Sequence, residues 1–301
     1  MKNKIASIVV TYNRKKLLEE CINSLLDCKT KELTIYIIDN ASTDGTKEMI
    51  NKKFKDKVRY VNTGENLGGA GGFNYGMKHA LNDSKYDYLW IMDDDTIVHK
   101  DSLEKLLEKA KVLNNDFSYL SSIALWTDNN LCDMNVQSVG RNTIEEYKKI
   151  KDGIICINSA SFVSCLINVE TIKEVGLPIK EFFIYGDDFE YTKRLGTIKK
   201  GFLVPESIVT HKMNSNTGIN LIDVEKTRID RYYYNFRNLL YTYKKYDKKQ
   251  YRIYKLKCYY MILKCLIKSK NSRIKRAKVV IKALKESKRF NPKIEFIGEE
   301  K

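Results

Sequence analysis

"KIASIVVTYNRKKLLEECINSLLDCKTKELTIYIIDNAS", residues 4–42, reads as strand, helix, strand. The β-branched runs "IASIVV" and "LTIYII" are apolar along most of their length, the mark of strands buried in a sheet. Each stops at a polar cluster, Thr11-Tyr12-Asn13-Arg14 after the first and Asp39-Asn40 with Ser42 after the second. Between them Leu17, Leu18, Cys21, Ile22, Leu25 and Leu26 recur at helical spacing, one apolar stripe to lay on a sheet. A helical crossover makes the two strands parallel neighbours, where a tight turn would make a hairpin.

The alternation continues. "DGTKEMINKKF" reads as a helix that Ser42 or Thr43 can cap. "VRYVNTG" is a third strand, "ENLGGAGGFNYGMKHAL" a glycine-rich loop opening a helix, "YDYLWIMDDD" a fourth strand and "KDSLEKLLEKAKVL" the helix after it. This order predicts a doubly wound α/β domain on a mainly parallel, Rossmann-like sheet. Ligands in such sheets bind beyond the carboxyl ends of the strands. Four polar clusters fall there: Thr11 to Arg14, Asp39-Asn40, Asn66 to Gly69, and Asp93-Asp94-Asp95. The glycine-rich run lacks the Gly-Lys-Ser/Thr of a phosphate-binding P-loop and follows the wrong strand for a dinucleotide fingerprint. Its glycines let backbone approach a ligand closely, or make a flexible turn.

Three adjacent carboxylates at the end of a buried strand need an explanation. Two like charges 4 Å apart repel by about 4 kcal/mol at an effective dielectric of 20. A solvated turn would relieve this, and so would a hard divalent cation with oxygen ligands. Strand alternation puts Asp93 and Asp95 on one side and Asp94 on the other. A second acidic group, Asp187, Asp188 and Glu190 in "EFFIYGDDFEYTKRLG", reads both as a helix amino end and as a source of a general base. His211 closes the late strand "GFLVPESIVTHK" and is either structural or a third ligand beside Asp93 and Asp95. Residues 120–215 otherwise alternate short strands ("SSIALW", "GIICI", "SFVSCLINV") with loops.

The net charge of +16 over 301 residues is concentrated in one segment. Residues 231–290 hold twenty Lys and Arg against Asp247 and Glu286, a net +18 that leaves the remainder at −2. There "YYYNFRNLLYTYKKY" interleaves tyrosine with cations, a composition suited to the headgroup zone of an anionic membrane. The acidic cleft argues against nucleic acid as the partner. Seven scattered cysteines without a CxxC pair read as reduced thiols of a cytosolic protein. Met1–Ala6 is too polar to open a secretory signal, and no window approaches the 18 apolar residues of a membrane span.

In order along the chain, "VVTYNR", "IIDNASTDGT", "NLGGAGG", "DDD" and "GDD" resemble the family-two glycosyltransferases of GT-A fold. The long glycine run, the triple Asp, the late His and "YYYNFRN" are most similar to the galactofuranosyltransferase and rhamnosyltransferase branch. The resemblance implies a GT-A domain over 1–222, with a nucleotide-binding half (1–115) and an acceptor half (116–222) carrying a smaller sheet. Basic helices follow over 223–301. It further implies that Thr11, Tyr12, Asn13, Arg14, Asp39, Asn40, Ser42, Asn66, Gly69, Asp93 and Asp94 hold the nucleotide sugar. Asp93, Asp95 and His211 would hold Mn²⁺ or Mg²⁺. Asp188, with Asp187 beside it, would be the catalytic base. Trp90, Phe183, Arg237 and Asn238 would lie toward the acceptor or serve another role at the site, the last two matching an Arg-Asn pair that follows the catalytic acids.

One base, one metal and no enzyme nucleophile imply inversion by single displacement. The expected reaction is transfer of galactofuranose from UDP-galactofuranose to a lipid-linked glycan, for bacterial surface polysaccharide, by a cytoplasmic enzyme peripheral at the inner membrane face. The alternatives are dTDP-rhamnose or a UDP-hexopyranose as donor, or a nucleotide-sugar- or glycan-binding protein without catalysis.

Overall fold

The computed structural model describes residues 3–298 apart from 31, 140–143, 217 and 219. The opening unit folds as β1 (Ile5–Thr11), α1 (Lys15–Leu26) and β2 (Leu33–Asp39). It is followed by α2 (Thr46–Lys53), β3 (Arg59–Asn62), α3 (Gly68–Asp83), β4 (Tyr88–Asp93), β5 (Thr96–Val98) and α4 (Ser102–Val112). The middle of the chain adds β6 (Tyr119–Leu125), β7 (Ser138–Val139), α5 (Ile144–Lys151), β8 (Ile155–Ser159), β9 (Cys165–Asn168), α6 (Val169–Val175), α7 (Asp187–Leu195) and β10 (Gly201–His211). The helices α8 (Tyr232–Tyr246), α9 (Lys248–Lys268) and α10 (Arg273–Glu286) complete it.

All ten strands share one sheet, ordered β3-β2-β1-β4-β9-β6-β10-β8-β7, with β5 paired to β10. β3, β2, β1 and β4 are mutually parallel, as are β6 and β10, and β9 runs antiparallel between β4 and β6. Strands β7 and β8 continue the same sheet by pairing outward from β10. Alternation along each strand divides the core in two. Ile5, Val9, Ile35, Ile37 and Trp90 face Leu18, Ile22 and Leu25 of α1 and Leu103 and Leu106 of α4. Ala6, Ile8, Val10, Tyr36 and Ile38 face Phe73 and Met77 of α3 and Tyr191 and Leu195 of α7. The last three helices enclose a cluster of their own around Phe236, Leu240, Cys258, Cys265 and Val280.

Two local expectations are corrected. The glycines of residues 68–76 lie within α3 itself. Close packing overrides their poor helix propensity. A Cβ on Gly72 would stand 2.5 Å from Val10 Cγ1, and one on Gly76 would stand 2.6 Å from Ile38 Cγ1 and 2.7 Å from Ile8 Cγ2. Nor do Ser42 and Thr43 cap α2. The residue before α2 is Gly45 (φ 83°), which offers no side chain; one residue earlier Asp44 braces the turn, its Oδ1 accepting from Thr46 N at 3.2 Å and Thr46 Oγ1 at 2.6 Å, while Oδ2 accepts from Lys15 N at 2.9 Å. Ser42 Oγ instead accepts from Asn13 N at 2.8 Å and fixes the loop after β1.

Candidate active site

Sheet register assembles the site. Thr11 lies opposite Asp39, Asp39 opposite Asn62, and Val10 opposite Asp93, so the polar strand ends share one edge. Two residues past β4 the chain turns into β5, whose Thr96 pairs with His211 at the end of β10. That pairing carries His211 next to Asp95, and Lys212 N donates to the Asp95 carbonyl at 2.8 Å.

One ligand atom each from Asp93, Asp95 and His211 falls within 4.8 Å of the other two. His211 Nε2 lies 3.0 Å from Asp95 Oδ1, and both side chains are buried. The other ring nitrogen, Nδ1, faces Asn135 Oδ1 at 2.8 Å. Asn135 Nδ2 donates to Ser161 Oγ at 3.0 Å, which orients its oxygen toward the ring. An imidazole that donates from Nδ1 presents Nε2 as a lone pair. Two carboxylates and one such nitrogen form a donor set suited to a divalent cation.

The three carboxylates are unequal. Asp94 points away, accepting from Thr11 Oγ1 at 2.7 Å and from Arg14 at 3.2 Å. Arg14, half exposed, also reaches Asp95 Oδ2 at 2.5 Å. Burial raises Asp93 to about 7, assisted by the Asp95 charge and opposed by His211. Burial raises Asp94 to about 6 against the pull of Arg14. Asp95 is also penalised by burial, yet His211 and Arg14 bring it below the usual carboxylate value. Burial would lower His211, but Asp95, Cys132 and Asp93 raise it to about 10. Without a metal ion, a proton on the imidazole and the Arg14 guanidinium supply the positive charge these acids require.

The second acidic group faces this cluster. Asp187 and Asp188 open α7. Burial lifts Asp187 well above the carboxylate range, with the charges of Asp188 and Asp93 adding to it. Burial raises Asp188 to about 6 although Phe189 N donates to its Oδ1 at 2.7 Å. The loop before them is strained. Phe183 (φ 62°) and Tyr185 (φ 66°) are left-handed, as is Gly186 (φ 76°). Such backbone costs about 1–3 kcal/mol per non-glycine residue.

Helix α8 holds that loop from behind. Asn238, wholly buried, shares its amide protons among the carbonyls of Phe182 (3.0 Å), Ile184 (3.2 Å) and Tyr185 (2.7 Å). Arg237 donates to the Glu181 carbonyl at 2.5 Å and to Asn238 Oδ1 at 2.8 and 3.0 Å. The expectation that this pair lies toward the acceptor is therefore corrected: both are buried and support the loop that leads into Asp187 and Asp188. Trp90 is likewise corrected. It is wholly buried in the sheet, its indole N–H donating to Ser164 Oγ at 2.9 Å, because both faces of β4 are covered and Trp90 lies on the one packed against α1 and α4. Phe183 is half-buried, stacks on Tyr234 at 5.0 Å and accepts from Ala70 N at 3.2 Å, joining the loop to the start of α3.

At the ends of β1 and β2 and the start of α3, buried supports and exposed groups separate. Thr11, Asp39 and Asn40 are buried. Asp39 accepts from Ser42 N at 2.9 Å and from the Tyr60 hydroxyl at 2.7 Å, and Asn40 donates to the Gly68 carbonyl at 2.9 Å. Tyr12, Asn13, Arg14 and Asn66 are exposed. Asn13 is left-handed (φ 54°) and accepts from Thr43 N at 2.7 Å; Asn66 accepts from Gly68 N at 2.9 Å. Gly69 has open space where a Cβ would be. The sequence reading did not single out Asn135, Tyr60 or Asp44. An Asp two residues before a helix is a signal that could have found the last.

Residues 7–164 match the glycosyl transferase family 2 model, more than half of the chain. The chain belongs to glycosyl transferase family 2. Among family relatives, the poly-β-1,6-N-acetyl-D-glucosamine synthase of Staphylococcus aureus is 33% identical over 108 residues, 36% of this chain and 25% of the synthase. The chain thus spans about a quarter of that relative's length. The galactofuranosyltransferase GlfT1 of Mycolicibacterium smegmatis is 26% identical over 208 residues, 64% of this chain and 65% of the relative. In fold, the chain is similar to the mannosyltransferase PcManGT of Pyrobaculum calidifontis, solved with GDP-Man and Mn²⁺ (TM-score 0.55, 14% identity, 97% of this chain and 76% of that one). TarS of S. aureus is comparable (TM-score 0.54, 15% identity, 93% and 43%). These likenesses establish the GT-A-like fold of this family-2 chain.

Proposed function

We propose that this protein is an inverting, metal-dependent glycosyltransferase that moves galactofuranose from UDP-galactofuranose to a lipid-linked glycan in bacterial surface polysaccharide synthesis. The observation that carries the reading is the convergence of the Asp93–Asp95–His211 cluster with the acidic amino end of α7, close enough for Asp93 to perturb Asp187. Galactofuranose is preferred because the relative matched over the larger share of this chain is a galactofuranosyltransferase.

In the reaction, the acceptor hydroxyl oxygen attacks the anomeric carbon from the face opposite the diphosphate. Asp188 takes the hydroxyl proton, the bond from anomeric carbon to diphosphate oxygen breaks, and the nucleoside diphosphate leaves. Asp93, Asp95 and His211 would hold Mn²⁺ or Mg²⁺, which supplies neutralisation of the departing diphosphate. Arg14 supplies a cation on the same side. Asp39, Ser42 and Tyr12 frame the base, and Asn66 with Gly69 lets the ribose and diphosphate approach. We assign catalysis to residues 1–222 and contact with the inner membrane surface to the basic helices beyond them.

The test is a panel of nucleotide sugars with release of free nucleotide as readout, with Mn²⁺, with Mg²⁺ and with EDTA. UDP-galactofuranose is expected to give the fastest release, and EDTA to abolish it. Preferred turnover of dTDP-rhamnose or of a UDP-hexopyranose would reassign the donor. Binding without release of nucleotide from any donor would leave only a binding protein.

A further inference from the structure

Helix α9 is apolar on two opposite sides. One side packs Cys258 and Cys265, with Tyr254 and Met261, into the C-terminal cluster. The other side carries Ile253, Leu256, Tyr260, Leu263 and Ile267, all exposed. Their spacing of three, four, three and four residues aligns them in one stripe. Leu256, Leu263 and Ile267 are 68, 58 and 71% exposed, values of side chains that nothing covers. At 1.5 Å per residue the stripe runs about 21 Å. Helical geometry borders it with Lys257, Lys264 and Lys268, and Lys249 and Arg252 sit at its amino end.

We propose that this stripe is the membrane-insertion face of the protein, lying in the headgroup–acyl boundary of an anionic bilayer with the α9 axis in the membrane plane. The proposal deepens the membrane contact assigned above to the basic helices and rests on it. No helix among the described residues is long and apolar enough to cross a membrane, so contact through α9 is interfacial. Charge selects the occupant. A second copy would bring the same lysine borders against these, within a segment of twenty cations and two acids. Lipid phosphates offer the opposite sign along the whole stripe, and the flanking lysines reach them while their stems stay with the apolar surface. Tyr259 and Tyr260 carry apolar rings with polar tips suited to the same boundary. Nucleic acid would satisfy the lysines and leave the leucines in water.

The test uses the full chain with vesicles of phosphatidylcholine alone or mixed with phosphatidylglycerol. The wild type is expected to co-sediment with the anionic vesicles, and Leu256→Glu with Leu263→Glu to weaken binding roughly tenfold or more. The thermal transition should be retained, since both side chains face solvent. In a separate variant, Leu263→Trp, indole emission is expected to shift to the blue on anionic vesicles. Equal binding of wild type and double variant, with no blue shift, overturns the stripe while leaving the basic helices as a purely electrostatic contact. A wild type that ignores both vesicle types overturns the membrane reading itself. A dimer by light scattering that the double variant converts to monomer reassigns the stripe to a second copy.

Discussion

Asn135 and His211 are 76 positions apart in sequence and 2.8 Å apart in space, with Asn135 Oδ1 against the ring nitrogen that does not face Asp95. Removing this acceptor frees the imidazole to rotate and to change tautomer. Asn135→Ala is expected to weaken Mn²⁺ binding by about 10–100-fold, the usual effect of losing the group that orients a ligand. Isothermal titration with the metal alone checks this, and unchanged affinity would make Asn135 a packing residue only.

Asp95 and Asp94 should respond differently to substitution. Asp95→Ala removes a group shared by His211, Arg14 and the cation site, and nucleotide release is expected to fall by roughly 100-fold or more. Asp94→Asn retains an oxygen for Thr11 and should cost far less. Equal, mild losses would leave both as buried structural partners of Arg14 with no part in catalysis.

Asn238→Ala leaves the left-handed loop at Phe183 and Tyr185 without its shared donor. Net hydrogen bonds of about 1 kcal/mol each offset strain of similar size there, so the loop should relax and displace Asp188. A shift near 1 Å costs on the order of 10²-fold in turnover. The expected signature is a lower kcat with donor KM unchanged. A raised donor KM alone would mean that Asn238 serves binding.

Acid should silence the enzyme through Asp188. Burial raises this carboxyl to about 6, and a base must be ionised to accept a proton. Its active form is therefore present above that value and is lost as pH falls through it. The kcat/KM profile is expected to drop about tenfold per unit below pH 6. A profile flat to pH 5 would exclude Asp188 as the base.

Gly76→Ala sets two effects against each other. Alanine is the better helix former by about 1 kcal/mol. Its Cβ, however, would stand 2.6 Å from Ile38 and 2.7 Å from Ile8, and overpacking of this kind costs about 1–3 kcal/mol. Net destabilisation is expected in urea unfolding. A stabilised variant would mean that α3 can move off the sheet freely.

The parts legible in the sequence were those governed by short-range periodicity. β1, α1 and β2 follow from apolar spacing, whereas β4 ends at Asp93, so it is the turn into β5, and not strand alternation, that groups Asp95 with Asp93 and His211. His211 was readable because a strand ended on it, although its partner Asp95 is 116 residues away. Asn135 was not, since its segment has no period and its role exists only through distant contacts. Glycine propensity misplaced the start of α3, where intimate packing outweighs a local preference. Trp90, expected on the acceptor side or in another role at the site, is core because both faces of β4 are covered. Arg237 and Asn238 were recognised as a pair, while their direction depended on how α8 packs.

Glu190, on α7 beside Asp187 and Asp188, is wholly buried and binds Arg194 at 3.0 Å and the Tyr246 hydroxyl of α8 at 2.8 Å. Truncation after residue 222 would therefore remove more than the proposed membrane contact. It would strip a partner from a buried carboxylate, a change that costs about 1–3 kcal/mol or more, and would take Arg237 and Asn238 away from the loop. The loop that leads into Asp187 and Asp188 is braced by α8, which packs against the stripe-bearing α9, so the smallest active fragment is expected to extend at least through α8.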